Sequence, residues 1–520
     1  MSSATTTTAP GAATVQVKHR ALLTACAMLA TLMQILDSTI ANVALPYMQG
    51  SLSTTLDQVM WVLTSYVIAS AIMTAPVGWL AARFGRKQLF VTCLVGFVMT
   101  SMMCGAAQSL GQMVLFRILQ GGFGAALVPL SQASMLDIYT AEQRASAMAI
   151  FGIGVMVGPI LGPTLGGYLT DAYNWRWVFY VNLPIGIVAV AGLIIFMPAT
   201  PVAREMKFDW TGFSVLAIGV GSLQMMLDRG QSEDWFNSPQ IIIVAVLAGL
   251  GIYLFLVHIF TTDRPFIPLA LFRDRYFTTA TLLMFLTNTI MMASSALLAP
   301  YLQNLSGYPV ATAGTLMAPR GIGTMVAMVI TGRLGMRVDQ RRLMFIGLAT
   351  LGWTLHDMSN WTPDISATRL VTVLVIQGFA MGWVWNPITL ISFTTLPASL
   401  RGDATALQSL MRNVGSAIGI SVTAFTLARG VQISHSGLTA DLTPFNRLLQ
   451  GHWSVPKVLA PWTTHGAELL DSMVNRQALI IAYANDFRLM SFVVIPALAM
   501  LLLVRRPRMQ TSGGPVMVAD

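Results

Sequence analysis

The sequence predicts an all-α polytopic membrane protein with fourteen transmembrane helices, arranged as six, two and six. Three observations carry that prediction: a composition too poor in charge for a soluble chain, apolar runs of bilayer length from end to end, and an internal repeat relating the two halves. The 520 residues are 55% hydrophobic and 10% charged, where a soluble protein carries about a quarter charged residues. Apolar runs of about 20 residues can each cross roughly 30 Å of hydrocarbon as a helix.

In chain order the expected spans are 21–44, 58–80, 88–108, 113–134, 146–169, 178–198, 211–227, 240–260, 278–300, 312–334, 341–358, 367–393, 404–428 and 488–505. Basic residues gather in alternate connections, among them Lys18 and Arg20, Arg83, Arg86 and Lys87, Arg333, Arg337, Arg341 and Arg342, and Arg505, Arg506 and Arg508. Under the positive-inside rule both termini are therefore cytoplasmic. The division is a tail at 1–20, a first six-helix bundle at 21–200, two inserted helices at 201–265, a second bundle at 275–505 and a tail at 506–520. The polar stretch 429–487 is expected to be an outer, periplasmic loop, far longer than a helix connection needs.

The formal charge of +9 follows from those inner loops rather than from nucleic-acid binding, because no basic run is interleaved with aromatics. Cys26, Cys93 and Cys104 fall in apolar runs and read as small packing residues, not as a disulfide framework. The Ser/Thr/Ala-rich start lacks the pattern of a cleaved signal peptide, so the first helix is expected to stay. His435, His452 and His465 have no metal-ligand spacing, and no metal site or cofactor is expected. No phosphate-binding loop, catalytic triad or ATP motif appears, which argues against an enzyme or a primary pump.

The repeat holds a nearly constant register. LPYMQ at 45–49 matches APYLQ at 299–303, and Gly78 and Arg83 recur as Gly332 and Arg337, all displaced by 254. Gln120-Gly121 recurs as Gln377-Gly378, Arg144 and Ala147 as Arg401 and Ala404, and Gly158 and Gly162 as Gly415 and Gly419, displaced by 257. Repeats of this kind build secondary transporters, whose two bundles rock about a site at their interface.

Several stretches add chemistry to that frame. GWLAARFGRK at 78–87 places Gly78 and Gly85 for a tight turn and Arg83 and Arg86 for the cytoplasmic side. RILQGGFGAA puts Arg117 inside a span, where an unpaired cation costs several kcal/mol; its repeat position holds Leu374. GVMVGPILGPTLGG at 154–167 spaces Gly154, Gly158, Gly162 and Gly166 by four, a bare face for close helix contact. Pro159 and Pro163 add bends that packing alone does not require.

LDSTIANVALP at 36–46 sets Asp37 inside the first span, the only carboxylate away from the ends of the expected spans. At 100° per residue Thr31, Gln34, Asp37, Ser38 and Asn42 share an arc of about 140°. Such a polar stripe is expected to face a central cavity. A buried carboxylate that a cationic neighbour can bias is what a reversible proton site needs. Arg412 and Trp385, with Gln34, Ser38 and Asn42, are the candidates for the substrate cavity.

The loop at 78–87 resembles the G-x-L-x-D-R-x-G-R-[RK] motif of the major facilitator superfamily, with Ala82 where that motif has its Asp. The stretch 154–167 resembles the fifth-helix motif of drug:proton antiporters. Together with LDSTIANVALP, NWRWVFYVNLPIG at 174–186, LQMMLDRGQSEDWF at 223–236 and QALIIAYANDF at 477–487, they make the chain similar over nearly its whole length to the fourteen-helix EmrB/QacA-type drug:proton antiporters, on the Gram-negative EmrB side. The resemblance implies the major facilitator fold in a bacterial inner membrane. It also implies proton-coupled efflux of hydrophobic or amphipathic compounds, including antibiotics, by alternating access, with Asp37 and Arg117 coupling the proton. It further implies a periplasmic membrane-fusion adaptor and an outer-membrane channel as partners. The competing readings are an uptake symporter of the same fold, against which the proline–glycine helix and the inserted pair count, and a polytopic enzyme or sensor, against which the repeat counts.

Overall fold

A computed structural model describes residues 19–140, 142–199, 207–262, 265–334, 338–440 and 464–503. The tail ends at 1–18 and 506–520, the centre of the polar stretch at 441–463, and Arg337 lie outside the described residues.

The first bundle holds α1 (Arg20–Ser51), α2 (Trp61–Thr74, continued by Val77–Phe84 after a 58° bend), α3 (Arg86–Ala106), α4 (Leu110–Ile138), α5 (Arg144–Ala172) and α6 (Trp177–Phe196). The inserted pair is α7 (Trp210–Arg229) and α8 (Pro239–Thr261), and the second bundle begins with α9 (Arg275–Leu305), α10 (Val310–Leu334) and α11 (Gln340–Met358). It ends with α12 (Ala367–Thr394), α13 (Arg401–Ala440) and α14 (Thr464–Met500). Among the described residues twelve helices are long and apolar enough to cross a membrane, or thirteen with the bent pair taken as one span. Gln340–Met358, at the expected eleventh span, is a helix of 19 residues that falls outside that set; it carries Arg341, Arg342 and Asp357.

The solvent of these helices is legible in how they pack. α8 has a mean hydropathy of 2.6 over its most apolar stretch yet only 17% of that stretch is buried. Ile243, Val246, Leu250, Tyr253 and Phe260 stand exposed on it, which suits a lipid-facing helix. α7 packs on α2 in one bundle and on α13 in the other, and Thr64 on α2 donates a hydrogen bond to Asp228 on α7.

The repeat reappears as repeated contacts. Gly121 lies against the Tyr66 carbonyl, and Gly378, 257 residues on, lies against the carbonyl of Arg320, which is 254 beyond Tyr66. In the first bundle Gly158 packs on Ile35, and in the second Gly415 packs on Phe285 and Thr289, the latter 254 beyond Ile35. Between the bundles, a Cβ on Gly78 would come within 2.7 Å of the Asp403 backbone, and one on Gly332 would sit 3.3 Å from that of Ser146. Glycine is required at both positions because the opposing helix start comes this close.

Two expectations change. The stretch 429–487, expected as loop, is helical wherever it is described: α13 runs on to Ala440 and α14 already begins at Thr464. His435 and Asp471 bridge the two extensions at 3.1 Å, and Gly430 packs on Ala482. Asp486 consequently lies well inside α14, 3% exposed, so Asp37 is not the only carboxylate away from a span end. The sequence hid this because Asp486 interrupts the apolar run and pushed the expected span start to 488.

Candidate functional site: a buried ion pair beside a central cavity

Asp37 is fully buried on α1 and surrounded by donors. Arg117 of α4 meets Asp37 Oδ2 at 2.7 Å, while Gln120 Nε2 and Asn182 Nδ2 each donate to Oδ1 at 2.9 Å. Three donors and no acceptor are the complement of an ionised carboxylate. Arg117, itself 0% exposed, also donates to the Val62 carbonyl and to Gln120 Oε1, both at 2.9 Å. The Tyr66 ring covers its guanidinium at 4.1 Å, a cation–π contact that lowers the cost of burying the charge. Ser101, bonded to Asn182 Nδ2 at 2.9 Å and to the Phe179 carbonyl, anchors the network on α3.

The pair lies beside the cavity rather than in it. Between the bundles is a cavity of about 190 Å³, lined in the first bundle by Gln34, Ser38, Ser70 and Pro159 and in the second by Asn288, Trp385, Ser409 and Arg412, among others. Of the polar stripe on α1, Gln34 and Ser38 reach this cavity. Asp37 points away from it toward α4 and α6, Thr31 is buried against the Ala27 carbonyl, and Asn42 is exposed and absent from the lining. The arc of about 140° was too wide to be one face: Asp37 sits roughly 100° from Ser38 at 100° per residue. One bond joins the two places, from Gln34 Nε2 in the cavity wall to the Tyr66 hydroxyl at 3.1 Å; Tyr66 in turn lies on Arg117.

The glycine face of α5 is what holds α1 in place. Gly154 faces Met28, Gly158 faces Ile35 and the Leu36 backbone nitrogen, Gly162 faces Thr39 and Gly166 faces Ile40. Pro159 is exposed and reaches the cavity, and Pro163 follows on the same helix. The bare face expected for close helix contact thus packs inside one bundle, against the helix that carries Asp37.

At the basic end the turn motif meets the second bundle. Gly85 has a φ of 84°, a left-handed conformation that favours glycine, and lets α3 start directly after α2. Arg86 pairs with Asp137 on α4, Arg401 of α13 takes the other oxygen of Asp137 at 2.8 Å, and Arg83 at the end of α2 is half-buried. Ser146 Oγ donates to the Gly332 carbonyl at 3.0 Å. These contacts close the cavity at that end. Where the loop has Ala82 in place of an acid, Asp403 from the opposite bundle lies against Gly78.

Sequence reasoning did not single out Tyr66, Asn182, Asp137 or Asp403. Asn182 had one available signal, a lone amide within an otherwise apolar span.

Two six-helix bundles related by a repeat, closed at one end over a central cavity, define the two-bundle class of helical membrane transporters. Residues 27–420 match the Major Facilitator Superfamily, and the chain belongs to that family. It is 35% identical over 498 residues to the multidrug export protein EmrB of Escherichia coli K12, covering 95% of this chain and 96% of that one. It is 33% identical to EmrB of Haemophilus influenzae over 94% of this chain and 96% of that one. With the fatty acid resistance protein FarB of Neisseria gonorrhoeae it shares 31% identity over the same proportions. The crystal structure of the human organic anion transporter MFSD10 aligns with a TM-score of 0.58 at 14% identity, covering 92% of this chain and 100% of that one, and speaks for the fold alone.

Proposed function

We propose that the protein is a proton-coupled multidrug exporter of the inner membrane, working by alternating access. The observation that carries this is the Asp37–Arg117 pair, buried in one bundle yet one hydrogen bond and one ring away from the cavity wall. Protonation of Asp37 removes the charge that Arg117 answers. Arg117 and Tyr66 then shift together, and Gln34 passes the change to the cavity. The direction, export, is taken from the EmrB relatives. The basic end is the cytoplasmic one in this reading, so the conformation described is closed toward the cytoplasm. One proton moving down about 100 mV supplies about 2.3 kcal/mol, enough for a gradient of roughly fiftyfold.

A pH jump across proteoliposomes tests the reading. Outward substrate movement against an inward proton flow is expected; substrate moving with the protons would make it an uptake symporter, and no proton flux would remove the coupling altogether.

The closure at the basic end gives a further expectation. A Gly78→Val side chain collides with Asp403, and overpacking of about 1–3 kcal/mol shifts a two-state equilibrium about 5–150-fold. Maleimide labelling of a cysteine placed at Ser146, on the facing contact, should rise accordingly. Unchanged labelling would show that this contact is not a gate.

The partner reading concerns 429–487. An adaptor of the membrane-fusion type, leading to an outer-membrane channel, would dock on the long extensions of α13 and α14 and the segment 441–463 between them. Deleting 441–463 should leave transport in proteoliposomes intact and abolish drug resistance in intact cells. Resistance that survives the deletion would place the adaptor elsewhere.

A further inference from the structure

Among the described residues, Arg412 is the only charged side chain lining the central cavity. Among the described residues its guanidinium makes no ion pair or hydrogen bond; the groups that touch Arg412, Asn288 Nδ2 at 2.8 Å and Ser416 Oγ at 2.9 Å, donate to its backbone carbonyl. Arg412 is half-buried, whereas the fully buried arginines among the described residues are answered. Arg117 has Asp37, Arg401 has Asp137, and Arg320 reaches the Met291 carbonyl at 3.4 Å. A bare guanidinium at membrane depth is unfavourable, so its place in the wall of a cavity calls for an anion.

The neighbours of Arg412 on α13 fit that demand. Ser409, Arg412, Asn413 and Ser416 recur at i, i+3, i+4 and i+7, one face of the helix, and all four line the cavity. Ser409 Oγ is buried without a partner, one turn before the guanidinium. The same cavity is also lined by Trp385, Met291, Met292 and Met156, soft apolar groups that accept varied shapes. A guanidinium fork binds a carboxylate through two parallel bonds, and a serine hydroxyl can donate a third.

We propose that Arg412, with Ser409 and Asn413, binds the anionic headgroup of the transported compound. The preferred substrates are then amphipathic monoanions such as aryl or alkyl carboxylates, their apolar bodies lying against Trp385 and the methionines. This rests on the cavity being the substrate site of the exporter, and it adds a sign of charge that the fold does not specify.

One body with three charges makes the test. Purified full-length protein is dialysed to equilibrium against 1-naphthaleneacetate, 1-naphthaleneethanol and (1-naphthylmethyl)trimethylammonium. The wild type should hold the acetate most tightly. Arg412→Gln should weaken the acetate by about tenfold or more and leave the alcohol unchanged, and Arg412→Lys should recover part of the loss. Ser409→Ala, which removes a hydroxyl with no protein partner, should weaken the acetate alone.

Equal losses for all three probes in Arg412→Gln would make Arg412 a structural residue and overturn the proposal. So would no loss at all, or a wild-type preference for the ammonium probe. If the wild type binds the alcohol and the ammonium but not the acetate, only the anion preference fails. Binding of none of the three would instead remove the cavity as the substrate site.

Discussion

Asp37→Asn is expected to reduce proton-coupled efflux to the level of empty vesicles while the protein still reaches the membrane. The substitution keeps size and shape, but it removes the charge and cannot cycle a proton. Its geometry is also unfavourable. Arg117, Gln120 and Asn182 all donate toward Asp37, so an asparagine amide would turn its NH2 toward at least one donor. Losing one partner of a buried ion pair is strongly destabilising, by about 3–5 kcal/mol, so a control must separate coupling from collapse. Substrate exchange across the membrane with no proton gradient provides it, because exchange needs the cavity and not the proton. Exchange should persist in Asp37→Asn, and Asp37→Glu should retain part of the coupled activity. Full coupled efflux in Asp37→Asn at equal protein level would remove Asp37 from the proton path. Loss of exchange as well would make the pair structural.

What the sequence made legible is what repeats or has a period. The helix positions followed from apolar length, and the duplicated glycines turned out to make duplicated contacts: Gly121 on Tyr66 and Gly378 on Arg320, Gly78 on Asp403 and Gly332 on Ser146. A bare backbone face leaves a spacing in the sequence because every turn needs the same small residue. Asp37 and Arg117 could be singled out because a charge inside a span is rare. Their meeting, however, joins residues 80 apart, and no local period encodes such a pairing. Asn182 and Tyr66 were harder still, since an amide or a phenol in an apolar helix has many ordinary uses. The stripe on α1 shows the same limit from another side. Helical periodicity gives directions around one axis, but which direction holds the cavity and which holds α4 and α6 depends on the neighbours. The helical extents of α13 and α14 were missed because packing of Tyr483 and Phe487 against Tyr301 supports a helix that the interrupted hydropathy does not announce.

Gly158→Leu is expected to stall transport, although on helix propensity alone it ought to stabilise α5. Replacing a glycine inside a helix with a good helix former gains about 1 kcal/mol. Against that stands the position of α1. A Cβ at Gly158 would lie 2.6 Å from Ile35 Cγ2 and 3.2 Å from the Leu36 nitrogen. The methyl of Ile35 can give way, but the Leu36 backbone can move only if the helix moves, and Asp37 is the next residue. Leucine adds three more carbons in the same gap, and overpacking of this kind costs about 1–3 kcal/mol. The helix shift then lengthens the three bonds that hold Asp37. Gly167, about two and a half turns on and so on the opposite face of the same helix, has no atom within 4 Å of its would-be Cβ, so Gly167→Leu serves as the matched control and should transport normally. Two quantities decide the outcome: proton entry into drug-free vesicles and drug efflux under a pH gradient. Slower efflux in Gly158→Leu, with or without a proton leak, and normal behaviour in Gly167→Leu would tie the glycine face to the placement of Asp37. If both variants behave alike, the spacing of four is ordinary helix surface.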